Sequence, residues 1–97
     1  MDNKYTVSTL ICVHTTNERV IELLDYYTIK GEIILLSCFN IIDNLIDEDM
    51  CIDMDKEKLN KSDKLIVYGT INSSDYYVKV LVDYAKSLGK SIQYSID

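Results

Sequence analysis

The 97-residue sequence contains no proline, no tryptophan and a single histidine. It has no run close to the roughly 20 consecutive apolar residues that a membrane-spanning helix needs. Residues 1–5 lack a signal-peptide pattern, so we expect a cytoplasmic protein without a membrane partner, located in the host cytoplasm if a phage encodes it. The lack of Pro and Trp beside many Ile, Asn, Lys, Tyr and Asp residues is typical of an AT-rich coding genome, bacterial or phage.

Basic residues are scarce, since 10 Lys and Arg stand against 16 Asp and Glu, for a formal net charge of −6. Binding to a nucleic-acid backbone requires Lys or Arg clustered on one face, so this charge balance disfavours direct recognition of nucleic acid. The same charge balance is compatible with a basic protein partner. One hypothesis is that the acidic stretch 47–55 engages such a partner, as a small inhibitor from a phage or mobile element would.

Cysteines are few and lack the spacing of metal or redox sites. Cys12, Cys38 and Cys51 form an odd set without a CxxC pair, and we interpret them as reduced thiols of the core. The carboxylates of 47–55 lack the loop spacing and the sixth-position glycine of an EF-hand, so a solvated face or loop is a better interpretation of that stretch than a metal site. The sequence therefore predicts no metal and no cofactor.

The stretch from Lys58 to Tyr94 gives the clearest fold signal. Its apolar run at residues 65–68 is typical of a parallel strand covered on both faces. Apolar residues then recur at helical spacing from 77 to 88, just before Gly89, which suits a helix C-cap. A second strand follows, so the stretch predicts a βαβ unit.

The same alternation of strand and helix continues through the chain. The sequence predicts strands at residues 6–13, 32–37, 64–68 and 91–94, and helices at residues 17–30 and 74–88. Right-handed crossovers then give a single α/β domain, a three-layer flavodoxin-like or Rossmann-like sandwich with about four parallel strands in the order 2-1-3-4. A sheet of this kind binds ligands at the carboxyl ends of its strands.

The middle of the chain, residues 38–55, carries the weakest signal. Apolar residues between Phe39 and Ile46 fit a short amphipathic helix. The acidic stretch 47–55 predicts a solvated face or loop, and residues 55–62 predict a short polar helix that leads into the third strand.

Three segments carry a family resemblance: TIKGEIILLSCF from Thr28, KLNKSDKLIVYG from Lys58 and LVDYAKSLGKSIQY from Leu81. They resemble small members of the nucleoside 2-deoxyribosyltransferase-like family, whose segments run roughly as TLKGxIVLSVGLF, KIDLADEIxVIN and EIEYAKKLGKKIxYL. The resemblance covers most of the chain and implies a flavodoxin-like fold with a nucleotide-type ligand over the carboxyl edge of the sheet. It also implies a carboxylate nucleophile on the third helix, and sites close to subunit contacts.

The chain departs from this family at every catalytic position that the resemblance carries over. The family's nucleophilic Glu falls on Leu81, and a leucine cannot attack an anomeric carbon. The GYIG loop is replaced by residues 72–75, and the following Ser-Thr pair by Tyr77 and Val78. The family's GST motif lands near residues 12–14. The resemblance therefore implies a degenerate member that is retained for binding.

Two side chains are candidates to replace the missing acid. Asp75 stands at the head of the third helix and His14 follows the first strand, although a helix N-terminal carboxylate and a lone histidine more often have structural roles. Three tyrosines near the carboxyl end of the third strand could stack on a base: Tyr68, Tyr76 and Tyr77. Such residues more often pack in the core or in a subunit interface. The predicted ligand-binding set is His14, Thr15, Thr16, Gly69, Asn72, Ser73, Ser74 and Tyr77.

The main functional hypothesis is a non-enzymatic binding or regulatory protein that takes a nucleotide-like small molecule or a protein partner. The alternative is an N-glycosidic-bond transferase or hydrolase that acts on nucleosides or nucleotides through Asp75 and His14. We also expect a homodimer or larger homo-oligomer, because a chain this short buries only about 60–65% of its unfolded surface, while 47% of its residues are hydrophobic. The predicted contact patch combines residues 39–46 with Tyr76, Tyr77, Val80 and Tyr84.

Overall fold

The computed structural model describes residues 5–41, 47–71 and 75–95. The four strands form one parallel sheet in the order β2-β1-β3-β4. The bounds of the elements in chain order are β1 Thr6–Cys12, α1 Asn17–Ile29, β2 Glu32–Leu36, α2 Glu48–Asn60, β3 Lys64–Tyr68, α3 Tyr76–Ser87 and β4 Ser91–Ser95. The predicted α/β sandwich and its strand order are therefore confirmed.

Side chains alternate along the two central strands, and this alternation divides the core into two layers. In β1, Leu10 points into the layer under α1, whereas Ile11 points into the layer under α2 and α3. In β3, Ile66 joins the first layer and Leu65 joins the second. Helices therefore cover both faces of β3, which explains its unbroken apolar run at residues 65–68.

Each face of the sheet leaves one edge strand uncovered. Within the described residues, the layer under α1 includes Ile34 and Leu36 of β2 but no residue of β4. The layer under α2 and α3 includes Ile92 of β4 but, again among those residues, none from β2. β4 is therefore open on the α1 face, and β2 is open on the opposite face.

Of the two alternatives for the acidic stretch, the structure shows the solvated face, because residues 48–55 form the first half of α2 and Glu48, Asp49 and Asp53 are exposed. Asp55 is the exception, since its side chain is buried. The carboxylate of Asp47 caps this helix by accepting hydrogen bonds from the backbone N–H groups of Asp49 and Met50. Negative side chains in the first turn also interact favourably with the helix dipole. The short helix predicted at 55–62 is the second half of α2.

Two other sequence predictions concern residues near α2. Residues 38–40 form one 3-10 turn, and the remainder of the helix predicted up to Ile46 falls at 42–46, outside the described residues. The three cysteines are buried and carry free thiols, which confirms their interpretation as reduced core residues. No helix in the described part of the chain is long and apolar enough to cross a membrane.

Candidate functional site

The carboxyl ends of β1 and β3 form the point at which the chain connections diverge. The connection after β1 leads to β2 on one side, and the connection after β3 leads to β4 on the other. Ligands of open α/β sheets bind in the crevice that this divergence creates. His14 and Asp75 meet here, with 3.3 Å between the His14 Nε2 and the Asp75 Oδ2.

The backbone positions this His14–Asp75 pair. His14 has a φ of 54°, a conformation that few residues other than glycine adopt. Asp75 occupies the N-cap position of α3 but makes no capping hydrogen bond, and its carboxylate is directed at the imidazole instead. The side chain of His14 is 52% exposed. A carboxylate on one ring nitrogen fixes the orientation of the imidazole.

Other members of the predicted ligand set have structural roles. Thr16 caps α1, since its hydroxyl accepts a hydrogen bond from the backbone N–H of Arg19. Gly69 has a φ of +112° and lies so close to Val13 that a Cβ would overlap the Val13 carbonyl oxygen. Thr15 is half-buried. The predicted residues outside the described ranges are Asn72, Ser73 and Ser74.

Tyr77 lies in the core, as tyrosines near a strand exit more often do, and it offers little exposed surface to a ligand or a second subunit. Its side chain is buried, and its hydroxyl donates a 2.6 Å hydrogen bond to Oδ2 of Asp55. Val80 and Tyr84, which belong to the same predicted contact patch, are half-buried against the core. Tyr76, at 62% exposure, is the tyrosine of that patch that reaches the surface most fully.

Asp55 is the centre of a buried polar cluster that the sequence analysis missed. Its fully buried carboxylate accepts hydrogen bonds from the Ser37 hydroxyl at 2.6 Å and from the backbone N–H of Cys38 at 3.0 Å, in addition to Tyr77. The ammonium group of Lys58 lies 3.4 Å from Oδ1. Burial, together with the hydrogen bond and charge of Asp55, raises the pKa of Tyr77, which keeps its hydroxyl a donor. Both carboxylate oxygens are satisfied, so we interpret the cluster as structural.

A groove of about 660 Å³ lies between α1 and β4, on the face where β4 is uncovered. This volume falls within the roughly 300–1,000 Å³ that is usual for small-molecule sites. Its upper end, at Tyr68 and Ser95, coincides with the carboxyl ends of β3 and β4, the same sheet edge as the His14–Asp75 pair. Its aromatic and polar walls include Arg19, Tyr26, Tyr27, Lys30, Tyr68 and Gln93.

Arg19 is held against the wall at the upper end of this α1–β4 groove. Its Nε donates a 2.9 Å hydrogen bond to the Tyr68 hydroxyl, and its Nη1 contacts Oε1 of Glu22 at 2.8 Å. The central guanidinium carbon lies 5.5 Å from the centroid of the Tyr68 ring. The upper end therefore presents a fixed planar cation beside an aromatic ring.

The lower end of the groove combines aromatic rings, a cation and an amide. The Lys30 Nζ lies 4.9 Å from the centroid of the Tyr26 ring and 3.3 Å from its hydroxyl. Tyr26 meets Tyr27 edge to face, with 5.2 Å between ring centroids. Across the groove, the Gln93 Nε2 lies 3.5 Å from the Tyr27 hydroxyl. Aromatic faces, hydrogen-bonding groups and positive charge thus share one concave surface.

The sequence analysis singled out Tyr68 as a stacking residue but missed Arg19, Tyr26 and Lys30. These three residues lie seven and four positions apart, so they form a stripe on α1 beside its buried residues at 20, 23 and 27. The stripe alone resembles an ordinary solvated helix face. Its role becomes visible only because β4 lacks a covering helix on this side of the sheet.

The chemistry of the candidate site is therefore polar, aromatic and cationic. Within residues 5–41, 47–71 and 75–95, no three His, Cys, Asp or Glu side chains are grouped so that they could hold a metal ion. Comparisons with protein-family models, with curated proteins and with solved structures found no match to this chain. The resemblance to the nucleoside 2-deoxyribosyltransferase-like family therefore stays a prediction.

Proposed function

We propose that this chain is a non-enzymatic binding protein that holds a nucleotide-like small molecule in the α1–β4 groove. The observation that carries the proposal is the combination of Tyr26, Tyr68, Arg19 and Lys30 along one concavity of about 660 Å³. Aromatic faces stack on a planar base, and cations attract an anionic substituent on the same molecule. Arg19 and Lys30 are eleven residues apart on α1, which corresponds to roughly 16 Å along the helix axis.

The sequence of β4 supports a small-molecule ligand in preference to a covering helix. Its residues on the α1 face pair with Lys64, Ile66 and Tyr68 of β3, and they are Ser91, Gln93 and Ser95. A strand face that packs under a helix is normally apolar, because burial of unpaired polar groups is costly. Ser95 and Gln93 instead supply hydroxyl and amide groups that can orient a polar ligand.

The charge of the groove supports an anionic ligand. The chain as a whole carries a formal charge of −6, but among the described residues that line the groove Arg19 and Lys30 are cationic and Glu22 is acidic. Glu22 is already paired with Arg19 through the 2.8 Å contact. A phosphate or carboxylate group near Lys30 would therefore find positive potential that is rare on this acidic protein.

Binding is favoured over catalysis because the groove lacks an activated nucleophile. Among the described residues that line it, the ionisable ones are Arg19, Glu22, Lys30 and three tyrosines. Leu81, at the position of the family's nucleophile, is fully buried in the core. A carboxylate placed there would face Ile11 and Leu65 inside the same apolar layer, away from any ligand.

One specific observation supports the enzyme hypothesis, namely the 3.3 Å contact between the side chains of His14 and Asp75. A histidine oriented by a carboxylate is suited to accept a proton. Incubation with deoxynucleosides, nucleotides and NAD-like compounds, followed by product analysis, tests this alternative. Turnover that disappears in Asp75→Ala and persists in Asp83→Ala, a matched change at an exposed position of α3, would replace the binding proposal.

The binding proposal is tested by calorimetry and thermal shift with nucleoside monophosphates, nucleosides and NAD-like compounds. We expect saturable binding that Tyr26→Ala weakens about tenfold, since one base–aromatic stack contributes roughly 1–3 kcal/mol. The matched control is Tyr94→Ala, because Tyr94 is 57% exposed and Tyr26 54% exposed. Tyr94 lies on the opposite face of the sheet from the groove, so its removal should leave affinity unchanged.

A second pair of variants isolates the contribution of charge. Lys30→Gln should weaken binding of the monophosphate more than binding of the uncharged nucleoside. Lys56→Gln is the control, because Lys56 also lies over a tyrosine ring, 5.2 Å from the centroid of Tyr84, and outside the groove. Equal losses in the two lysine variants, or no binding by any compound in the panel, would refute the proposal.

A further inference from the structure

The two edge strands of the sheet have opposite sequence characters. β4 reads SIQYS and alternates polar with apolar residues, as expected at a sheet edge. β2 reads EIILL, a nearly continuous aliphatic run of the kind found in parallel strands that have neighbours on both sides. The position of β2 at an edge of the sheet is therefore at odds with its sequence.

The burial of β2 shows the same conflict. None of its five residues is buried, although four of them are aliphatic. Ile34 and Leu36 pack partly under α1, whereas Ile33 on the other face is 49% exposed. Ile29, at the end of α1 and three residues before β2, is also exposed, at 85%.

This edge also lacks the usual protection against strand pairing. Natural edge strands carry outward charges, prolines or bulges, and β2 contains one charged residue, Glu32. The carboxylate of Glu32 accepts a 3.0 Å hydrogen bond from the Ser8 hydroxyl and lies 3.5 Å from the Lys64 Nζ, so it is directed back across the sheet. Within the part of the chain that the structure describes, the free edge of β2 is therefore apolar and carries no outward charge.

We propose that β2 pairs with β2 of a second copy of this chain, antiparallel about a two-fold axis, to give a continuous eight-stranded sheet. A strand that meets its own copy across a two-fold axis runs antiparallel to it, so that residue i faces residue j of the copy and residue j faces residue i. Aliphatic side chains tolerate this arrangement, whereas like charges would oppose it. The run IILL is thus self-complementary.

Charge identifies the second copy, and not a basic protein, as the occupant. Two copies of a chain with net charge −6 repel each other, so a surface without outward acidic groups favours their association. The β2 edge satisfies this condition. A basic partner would instead be attracted to the exposed carboxylates on α2, such as Asp49, Asp53 and Glu57.

Sedimentation velocity and light scattering over a range of concentrations test the proposal. The expected result is a concentration-dependent dimer of the full chain. Ile33→Lys should raise the dimer dissociation constant at least tenfold, because it places two ammonium groups at the shared edge. Ile21→Lys is the matched control, since Ile21 is also an exposed isoleucine, at 60%, on the solvent side of α1. It should leave the constant unchanged.

A second variant and a second measurement cover the case in which Ile33→Lys fails to fold. Ile33→Thr keeps a β-branched side chain and should also weaken the dimer. Hydrogen exchange of the peptide that spans residues 32–36 should slow as the protein is concentrated, while exchange at β4 stays constant. A wild-type chain that remains monomeric, a dimer that survives both changes at residue 33, or protection that rises at β4 instead would each overturn the proposal.

Discussion

The Tyr77 hydroxyl donates a 2.6 Å hydrogen bond to Oδ2 of Asp55 inside the core, and this bond ties α3 to α2. The Ser37 hydroxyl donates to the same oxygen at 2.6 Å, so the end of β2 is joined to both helices. A buried carboxylate is costly unless donors surround it. Here the donor groups around it include Ser37 after β2, Tyr77 of α3 and Lys58 of α2. Asp55 therefore stabilises the packing of α2 and α3 on this face of the sheet.

Asp55→Asn should therefore destabilise the fold by about 3 kcal/mol, within the range measured when a buried charged network loses one member. In one orientation the amide nitrogen of Asn would face the Ser37 and Tyr77 hydroxyls, and in the other it would face the backbone N–H of Cys38 and the Lys58 ammonium group. Lys58 loses its carboxylate partner in both. Urea denaturation gives the free energy of unfolding. The control is Asp53→Asn, an exposed position on the same helix, which should change stability by less than about 0.5 kcal/mol.

Asp55 shows why this part of the fold could not be predicted. Within the sequence it belongs to a run of acids, and acids in a run are normally solvated. The periodicity that matters is carried by Cys51, Ile52, Asp55 and Leu59, which form the buried stripe of α2. A carboxylate fits that stripe only because Ser37 and Tyr77, distant in sequence, supply hydroxyls at its position. The hydrogen bond between Tyr77 and Asp55 could not be predicted for the same reason.

Alkaline pH should destabilise the protein, partly through Tyr77. Burial and Asp55 raise the pKa of Tyr77 in the folded state above its ordinary value near 10. The unfolded chain then releases this proton as the pH passes about 10, while the folded chain retains it, so stability falls with rising pH. Below pH 10, the protonated Tyr77 hydroxyl makes its full contribution to the free energy of unfolding.

The measurement is the free energy of unfolding between pH 7 and pH 11, in the wild type and in Tyr77→Phe. The variant should be less stable at pH 7 by about 1–2 kcal/mol, because Asp55 loses one donor. Its decline above pH 10 should be shallower. Burial also raises the pKa of the Cys12 thiol to about 11, which adds a decline between about pH 9 and 11 that both proteins share. Identical slopes above pH 10 would contradict the prediction.

Gly69→Ala should cost at least about 2 kcal/mol, since it adds backbone strain and steric overlap. The residue has a φ of +112°, and a Cβ would collide with the Val13 carbonyl oxygen where β3 leaves the sheet. Gly89→Ala is the matched control. Gly89 also has a positive φ, of +73°, but no described atom lies within 4 Å of the position that a Cβ would take. Gly89→Ala should therefore cost only the backbone strain of a left-handed conformation, about 1–2 kcal/mol. Equal losses in the two variants would show that the close approach to Val13 is unimportant.

The fold could be predicted largely because local patterns decide it. The apolar run at 65–68 and the helical periodicity at 77–88 are consistent with each other and with a parallel sheet. The groove could not be predicted, since it depends on which strand lacks a helix above it. Arg19 and Gln93 are 74 residues apart in sequence, and only the strand order brings α1 and β4 to opposite walls of one concavity.

Leu81→Glu would restore the acid that the family resemblance places on the third helix, and we expect it to create no activity. Leu81 is fully buried, with Ile11, Leu65 and Val67 in the same apolar layer. A carboxyl group without a partner there should either have a pKa raised by several units or cost about 3–5 kcal/mol of stability.

Urea denaturation at pH 5 and pH 8 separates these effects, because a raised carboxyl pKa makes the variant relatively more stable at the lower pH. Lys79→Glu, at an exposed position of the same helix, should leave stability within about 1 kcal/mol of the wild type. Turnover of deoxynucleosides by Leu81→Glu would show that position 81 reaches a ligand after all, and would move the functional site from the groove to the α2 and α3 side of the sheet.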